Sequence, residues 1–434
     1  MSSRRAFIQK MGLLSSATIA VNLLQTAWGK NLELALKKVE STSPVDLATN
    51  EDFWHYVQQS YTIAPNFINL NNGGVAPAPK SVADNMKTNY DICNQAPSYF
   101  MWRIIDVGRE QLRKNLAQLA GCSAEEIALH RNTSEALETV IFGIELKAGD
   151  EVVLAKQDYP NMLNAWKQRE KREGIKLVWV NHEFPSEDAE ALTKKYTSLF
   201  TDKTRVVHVT HMINWVGQVL PVRKIADEAH KKNIEVICDS AHTFGLLDYK
   251  IGDLGCDYWA TSLHKWLGAP FGSGMMWIKK EKIKDVWALM SNNEPDGTDI
   301  RKFESLGTRS FPSEMAISAA IDFHSLIGSK RKESRMHFLR EYWTSRVQKF
   351  AGVKIITPND RQFCGAIASV FIEGLKPEDI EAKLMEKYRI HCVAINWENI
   401  HGARITPNVY TSIADLDLLV QGIKEIAEEK GMQK

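Results

Sequence analysis

The chain has 434 residues, 44% hydrophobic and 25% charged, and its basic and acidic side chains nearly balance at a formal net charge of +1. This length exceeds what one simple core usually supports, so we expect two domains. The ordinary composition argues against disorder, a repeat array and nucleic-acid binding. Six scattered cysteines without CxxC spacing indicate neither a zinc site nor a disulfide framework.

The first 30 residues (1–30) have the pattern of an export leader. Arg4 and Arg5 precede a modest apolar stretch, residues 11–24, that polar side chains interrupt and that is too short for a confident membrane span. Paired arginines before such a stretch resemble a twin-arginine signal. We therefore predict a periplasmic or otherwise exported protein that uses the twin-arginine export machinery. The alternative is an amphipathic extension or an uncleaved anchor.

From about residue 67, short apolar runs alternate with segments of helical periodicity. Strands are predicted at residues 127–129, 151–154, 176–180, 206–209, 235–238, 258–261 and 275–278. Helices are predicted between them at residues 134–145, 162–172 and 222–231. This alternation is typical of a largely parallel sheet covered by helices on both faces. Ligands bind such sheets beyond the carboxyl ends of the strands.

Beyond residue 285 the pattern changes to that of a smaller α+β domain. Helices are predicted at residues 313–327, 335–350, 377–387 and 414–429, and strands at 353–356, 366–372 and 390–395. No flexible linker separates the two parts. We therefore expect a large domain, 67–285, packed against a small domain built from 31–66 and 286–434.

Two polar residues follow neighbouring predicted strands. Asp239 ends the run 234–238, and Lys265 comes just after the strand at 258–261. A lysine amine can attach to the aldehyde of pyridoxal 5′-phosphate (PLP), and an aspartate at the pyridine nitrogen keeps that ring protonated and electron-withdrawing. Alone, each would more often be a surface lysine or a helix-capping aspartate. The surrounding motifs favour the cofactor.

Together the motifs resemble those of the class V aminotransferase superfamily of fold-type I PLP enzymes. That group includes cysteine desulfurases, selenocysteine lyases, kynureninases and isopenicillin N epimerases. The resemblance covers roughly residues 67–430. It implies an α/β, fold-type I PLP-dependent transferase fold, with a large, mostly parallel, helix-covered sheet and a smaller α+β C-terminal domain. The segments 158–160 and 94–97 look closest to isopenicillin N epimerase-like proteins.

The resemblance implies a phosphate site at a predicted helix start. Thr133 and Ser134 match the paired hydroxyls of the family's phosphate loop, and Ser262 and His264 match its other phosphate ligands. Hydroxyls and backbone N–H groups at a helix N-terminus suit an anion. Without the resemblance, the hydroxyl pair would be an ordinary helix cap.

Four further positions carry expected roles from the same resemblance. Tyr159 matches the aromatic residue that lies against the cofactor ring. Asn214 matches the residue that hydrogen-bonds the ring's phenolic oxygen, and His242 matches another contact at the ring edge. Arg404 matches the arginine that holds the substrate α-carboxylate, a task suited to a bidentate guanidinium.

A partner subunit is also implied. Gly307 and Thr308 resemble an element that reaches the phosphate of the neighbouring subunit, although sequence alone would favour a simple turn there. The resemblance therefore implies a homodimer with two composite sites.

The function expected is PLP-dependent chemistry at the α-carbon of an amino acid, isopenicillin N epimerase-like, with an epimerase or aminotransferase outcome. One alternative is a PLP-dependent lyase, either a C–S lyase or a cysteine desulfurase-like enzyme. Cys364 and Cys392 do not match the mobile loop that a desulfurase needs. The other alternative is a non-catalytic ligand-binding relative, which the joint presence of Lys265, Asp239 and Arg404 disfavours.

Overall fold

The structure is a computed structural model that describes residues 27–429. Its helices are α1 Ala27–Lys38, α2 Pro44–Leu47, α3 Glu51–Gln58, α4 Lys80–Gln95, α5 Pro97–Tyr99, α6 Asp106–Ala120, α7 Thr133–Gly143, α8 Pro160–Glu173, α9 Ala189–Thr197, α10 Val222–His230, α11 Ile251–Leu254, α12 Phe311–Ile327, α13 Ser329–Val347, α14 Pro377–Tyr388 and α15 Ile413–Glu429. A π-helical segment, Phe100–Ile105, joins α5 to α6. Within residues 27–429, no helix is long and apolar enough to cross a membrane.

The strands are β1 Ile68–Asn69, β2 Ile127–His130, β3 Glu151–Ala155, β4 Lys176–Val180, β5 Thr204–Thr210, β6 Met212–Ile213, β7 Gln218–Val219, β8 Glu235–Asp239, β9 Tyr258–Ser262, β10 Gly274–Ile278, β11 Val353–Ile355, β12 Ala368–Ile372, β13 Ile390–His391, β14 Val393–Trp397 and β15 Ile400–Ile405. All seven strands predicted for the large domain are present.

The large sheet has the order β2-β10-β9-β8-β5-β3-β4. Only β10 is antiparallel to its neighbours, β2 and β9, and the other pairs are parallel. Strands β9 and β10 are buried along their whole length, as expected for a sheet with helices on both faces. The predicted fold class, a mostly parallel sheet covered by helices, is confirmed.

The carboxyl ends of three parallel strands lie side by side. Thr210, which ends β5, pairs with Asp239, which ends β8. Asp239 in turn pairs with Ala260 of β9. Gly274, which begins β10, pairs with both Ser262 and His130. The registers of these strands therefore bring four segments together at one edge of the sheet.

The C-terminal part contains a second sheet, of order β11-β12-β15-β14, whose pairings are all antiparallel. Its core includes apolar side chains of the N-terminal segment, such as Leu32 and Trp54, beside Trp343 of α13. The buried Arg335 of α13 forms an ion pair with Glu51 and stacks over Trp54, with 5.2 Å from its guanidinium carbon to the ring centroid. The N-terminal segment therefore packs on the small domain.

The predicted domain limits differ from the packing in two places. Residues 27–30, which the prediction assigned to the leader, begin α1, and the rest of the leader lies outside the described residues. Helix α12, assigned to the small domain, packs against α4 and α6. Its Ala316 and Ala320 share a core with Leu112 of α6.

Tertiary pairing also changed some predicted elements. The strand expected at 390–395 is divided at Cys392, because β13 pairs with β1 whereas β14 pairs with β15. Helix α13 begins at Ser329, six residues earlier than predicted, in a charged stretch that lacks apolar periodicity. Helix α4, which was not predicted, buries only Val82 and Cys93.

Candidate active site

A cavity of about 610 Å³ opens at the carboxyl ends of β5, β8 and β9. This volume falls in the range of about 300–1,000 Å³ that is usual for small-molecule and cofactor sites. The predicted site residues that line it are Thr133, Ser134, Tyr159, Asn214, Asp239, His242, Ser262, His264 and Lys265. Parallel strand ends and the turns after them therefore supply most of the predicted site.

Lys265 lies in the turn after β9 and faces a histidine. Its Nζ is 3.0 Å from Nε2 of His242. Burial lowers the pKa of Lys265 to about 8, aided by the charge of Arg404 and opposed by Asp239. Burial, together with the charges of Lys265 and Arg404, holds the pKa of His242 well below its usual range. His242 is therefore neutral and its Nε2 accepts from the lysine, whose amine loses its proton readily.

Asp239 is 97% buried at the end of β8, with 3% exposure. Burial raises the pKa of its carboxyl, while the N–H of Ala241, which donates to Oδ1 over 2.9 Å, and the charge of Lys265 oppose that rise. A buried carboxylate with so few donors is strongly attracted to a cation or to a protonated ring nitrogen. The position therefore suits the proposed partner of a pyridinium nitrogen.

A second carboxyl, Asp158, lies behind Asp239 and was not predicted as part of the site. Its Oδ1 accepts from the hydroxyl of Thr210 over 2.6 Å and its Oδ2 from the N–H of Ala155 over 2.8 Å. Burial raises its pKa to about 7, with a further contribution from Asp239. Since the Thr210 proton points at Asp158, the Thr210 oxygen can only accept a hydrogen bond from a ligand in the cavity.

The predicted phosphate residues meet at the N-terminus of α7. The N–H of Thr133 donates to Oγ of Ser262 over 3.0 Å, and the two hydroxyl oxygens are 2.7 Å apart. Gly274 permits this approach, because a Cβ there would lie 2.7 Å from the backbone of Asn132. Hydroxyls clustered at a helix N-terminus form an anion site.

His264 is oriented by the backbone. Its Nδ1 donates to the carbonyl of Ser273 over 2.9 Å, since a carbonyl can only accept. The Nε2 of the neutral ring is consequently an acceptor, and burial lowers the pKa of His264. His264 can donate to a phosphate from Nε2 only as the protonated ring, a form that a bound dianion would favour.

Two buried polar atoms beside the cavity lack protein partners within residues 27–429. They are the side-chain Oδ1 of Asn214 and Nδ1 of His242. Buried polar groups are normally hydrogen-bonded, so such atoms indicate a missing polar partner. With the half-exposed ring of Tyr159 also on the wall and the hydroxyl cluster at α7, these residues fit an aromatic ring that bears polar substituents and a phosphate, as PLP does.

Arg404 lies beside this cavity and does not line it. It is 6% exposed, on β15 of the small domain. Its Nη1 donates to the carbonyl of Asn214 over 3.0 Å and its Nη2 to Oδ1 of Asn71 over 2.9 Å. Burial lowers its pKa to about 10. The guanidinium is thus a buried cation close enough to lower the pKa of Lys265 and of His242.

Gly307 and Thr308 lie apart from this cavity, on an exposed loop before α12. Gly307 has a φ of 68°, a conformation suited to glycine. Arg309 beside them forms ion pairs with Asp106 and Glu314. Their predicted role in a neighbouring subunit stays a prediction.

Several lining residues were missed by the sequence prediction. They are Gly74, Val75, Asn132, Asn161, Met162, Thr210, Ala241, Phe271 and Gly272. The Asn-Asn-Gly-Gly run at 71–74 is a turn signal that could have indicated Gly74. Thr210 had no such signal, because only the β5–β8 register places it beside Asp239.

The family model described as Aminotransferase class-V matches residues 68–419. The chain belongs to this family. Relatives with curated descriptions include isopenicillin N epimerase from Streptomyces clavuligerus, 25% identical over 87% of this chain and 99% of that protein. Another is a cysteine desulfurase from Haloferax volcanii, 25% identical over 83% of this chain and 89% of its own length.

Solved structures agree on the fold. The apo structure of cysteine desulfurase from Thermococcus onnurineus NA1 has a TM-score of 0.75 at 21% identity, covering 86% of this chain and 98% of that one. A cystine C–S lyase in complex with cysteine persulfide has a TM-score of 0.74 at 20% identity, covering 83% and 98%. As a class V aminotransferase family member, this chain is a PLP-dependent enzyme. When bound, PLP supplies the electron withdrawal that stabilises negative charge at a substrate α-carbon.

Proposed function

We propose that this class V enzyme acts at the α-carbon of a free α-amino acid, with epimerase or aminotransferase chemistry. The observation that carries the proposal is the state of Lys265. Its amine has a pKa lowered to about 8, lies 3.0 Å from the neutral His242, and is within the field of the buried cation Arg404. A general base works best when its pKa is close to the working pH.

The roles proposed for the protein groups follow from their chemistry. Arg404 binds the substrate α-carboxylate and so fixes the direction of the Cα–H bond. The Lys265 amine removes the α-proton, and His242 orients that amine through Nε2. Asp239 supplies the negative charge that keeps the ring nitrogen of the cofactor protonated. Return of the proton at the α-carbon gives epimerisation, and its return at the cofactor gives transamination.

The cysteines support this choice over a desulfurase. Cys364 and Cys392 are each 0% exposed. Burial raises the pKa of Cys364 to about 11 and that of Cys392 to about 12, so both are uncharged thiols near neutrality. A cysteine that accepts sulfur from a substrate must be accessible and readily ionised, and neither residue meets these conditions.

A C–S lyase that uses no protein thiol is the second candidate. The similarity to cysteine desulfurases, at an identity close to that of the isopenicillin N epimerases, favours keeping it. Its early steps would use the same residues, because loss of a β-substituent also begins with removal of the α-proton. The two candidates differ only in the fate of the carbanion.

The discriminating experiment is incubation of the PLP-loaded enzyme with a panel of L-amino acids, including L-cystine, in D₂O. Deuterium at Cα with inversion supports epimerisation, a 2-oxo acid with retained sulfur supports transamination, and pyruvate with released persulfide supports the lyase. The variant Lys265→Ala is the control. If no amino acid changes the cofactor absorbance or gains deuterium, the non-catalytic alternative is favoured.

We also propose export of the folded, PLP-loaded chain through the twin-arginine pathway. Support comes from Arg4 and Arg5 ahead of a weakly apolar stretch. The double variant Arg4→Lys, Arg5→Lys should remain in the cytoplasm with PLP attached. Its appearance outside at the wild-type level would contradict the proposal.

A homodimer with shared sites is proposed as well, on the resemblance of Gly307 and Thr308 to a phosphate-contacting element. Sedimentation equilibrium should give twice the mass of one chain. In addition, Thr308→Val should weaken PLP retention although Thr308 is remote from the cavity of its own chain. Unchanged PLP retention in a dimeric variant would contradict the shared site.

A further inference from the structure

Arg404 is held by two segments that are far from it in sequence. Asn214, in the turn after β6, accepts from Nη1 through its backbone carbonyl. Asn71, in the loop after β1, accepts from Nη2 through its side-chain oxygen over 2.9 Å. The Nε of Arg404 is buried and has no hydrogen-bond partner within residues 27–429. The guanidinium is therefore fixed at two nitrogens while a donor stays available.

The orientation of the Asn71 amide is determined chemically. Arginine can only donate, so the atom that faces Nη2 is Oδ1 and the amide nitrogen points the other way. That Nδ2 lies 3.3 Å from Nε2 of His391. Since Nδ2 donates, Nε2 accepts, and the His391 ring is neutral with its proton on Nδ1. His391 stacks on Phe67 with an interplanar angle of 28°, so the acceptor is itself held in place.

The backbone around Asn71 is anchored to the strand that carries Arg404. Thr406 follows β15, and its hydroxyl accepts from the N–H of Gly73 over 2.9 Å. The carbonyl of Thr406 accepts from Nδ2 of Asn72 over 2.8 Å. The N–H of Asn71 donates to Oδ1 of Asn69 over 3.1 Å. The amide of Asn71 therefore keeps a constant position relative to Arg404.

We propose that Asn71 is a positioning residue for substrate binding: it sets the plane of the Arg404 guanidinium for the α-carboxylate, and His391 sets the orientation of the Asn71 amide. This inference rests on the proposed function, in which Arg404 binds that carboxylate. Because a bidentate contact requires the guanidinium and carboxylate planes to align, loss of the Asn71 contact lowers the affinity for carboxylate-bearing ligands.

The test compares L-alanine with ethylamine, the same amine without a carboxylate, as ligands of the PLP-loaded enzyme. Binding is followed by the change in cofactor absorbance. Asn71→Ala should raise the Kd of L-alanine about ten- to a hundredfold, the usual effect of losing a hydrogen bond to a charged group, and leave that of ethylamine unchanged. Asn71→Asp should weaken L-alanine binding further, because its carboxylate would pair with Arg404. His391→Phe should have a smaller effect of the same kind.

A double-mutant cycle separates positioning through Arg404 from a general structural role. In the Arg404→Ala background, Asn71→Ala should cause no further loss of L-alanine affinity, whereas two independent effects would add. Asn115→Ala, on α6 and outside the cavity wall, is the matched control and should change neither Kd. Thermal unfolding of each variant verifies that the fold is retained.

The outcomes assign failure to one proposal or the other. If the wild-type enzyme binds L-alanine and Asn71→Ala and Asn71→Asp leave that Kd unchanged, the inference about Asn71 is wrong and the proposed function stands. Equal loss for L-alanine and ethylamine, or additive effects in the cycle, also overturns it. If the wild-type enzyme responds to neither ligand, the proposed function itself fails.

Discussion

The two halves of the active site are built in different ways. Asp239 and Ser262 end adjacent strands of one sheet, and Lys265 follows in the next turn, so the hydrogen-bond ladder of β8, β9 and β10 sets their spacing. Arg404 and Asn71 come from the small domain and the N-terminal segment, and they meet the large domain only through packing and side-chain contacts. The cofactor half is rigid by its sheet, and the carboxylate half depends on how three segments dock.

Replacement within the cofactor half should have the largest effect. Lys265→Ala removes both the covalent attachment point and the base, so turnover should fall by several orders of magnitude, as for other single catalytic groups. The fold should persist, because Lys265 has no ion pair and one hydrogen bond, to His242, among the described residues. Steady-state kinetics and mass spectrometry after borohydride reduction measure turnover and attachment. Turnover near the wild-type rate would refute the assignment.

Asp239→Asn should follow in size. The amide preserves the shape and can still accept from Ala241, but it cannot hold the ring nitrogen protonated. We expect kcat to fall on the order of 10²–10³, the scale of removing one preorganised electrostatic group. Single-turnover kinetics report this directly. Wild-type kcat in a variant with full PLP content would show that Asp239 does not face the ring.

Changes in the carboxylate half should act on affinity more than on the cofactor. Arg404→Ala should cost about 2–5 kcal/mol in kcat/KM for α-amino acids, as expected for losing one partner of a desolvated charge pair. Arg404→Lys should cost less, since the charge is kept and the bidentate fork is lost. Amines without a carboxylate are the control. A loss of PLP from Arg404→Ala would show that the two halves are not separable in this way.

The smallest effect expected is electrostatic and links the two halves. Burial favours the neutral amine of Lys265, so its attachment to PLP in the apoenzyme should rise with pH and level off above about pH 8 instead of near 10.5. Arg404→Ala removes a cation that lowers this pKa, so the midpoint should move upward. Asp239→Asn removes an anion that raises it, so the midpoint should move downward. Stopped-flow absorbance measures the rate, and an identical midpoint in all three proteins would contradict the coupling.

Much of the cofactor half could be predicted from the sequence, because each of its residues lies next to a short apolar strand. The strands ending at Asp239 and before Lys265 are continuous apolar runs, and their carboxyl ends meet in any parallel sheet. The close approach of Thr133 to Ser262 follows from the same rule once β2 is placed beside β10. Local pattern and a general property of such sheets were sufficient here.

The carboxylate half was only partly predictable. Arg404 was identified from its flanking residues, but the strand β15 that carries it was not predicted, nor was its contact with Asn71. Helices α4 and α6 were missed because most of their surface is polar or shared with α12. Asp158 was noted within a motif, and its buried position behind Thr210 appears only when β3 and β5 pair.

The sequence by itself determined the alternation of strands and helices, the residues at the strand ends, and through them the cofactor chemistry, because these depend on periodicity and on neighbours close in the chain. Only the tertiary structure decided which distant segments surround Arg404, how far Lys265 and Asp239 are removed from water, and why Cys364 and Cys392 are inaccessible. Burial and long-range contacts depend on packing between segments hundreds of residues apart, and no local pattern encodes them.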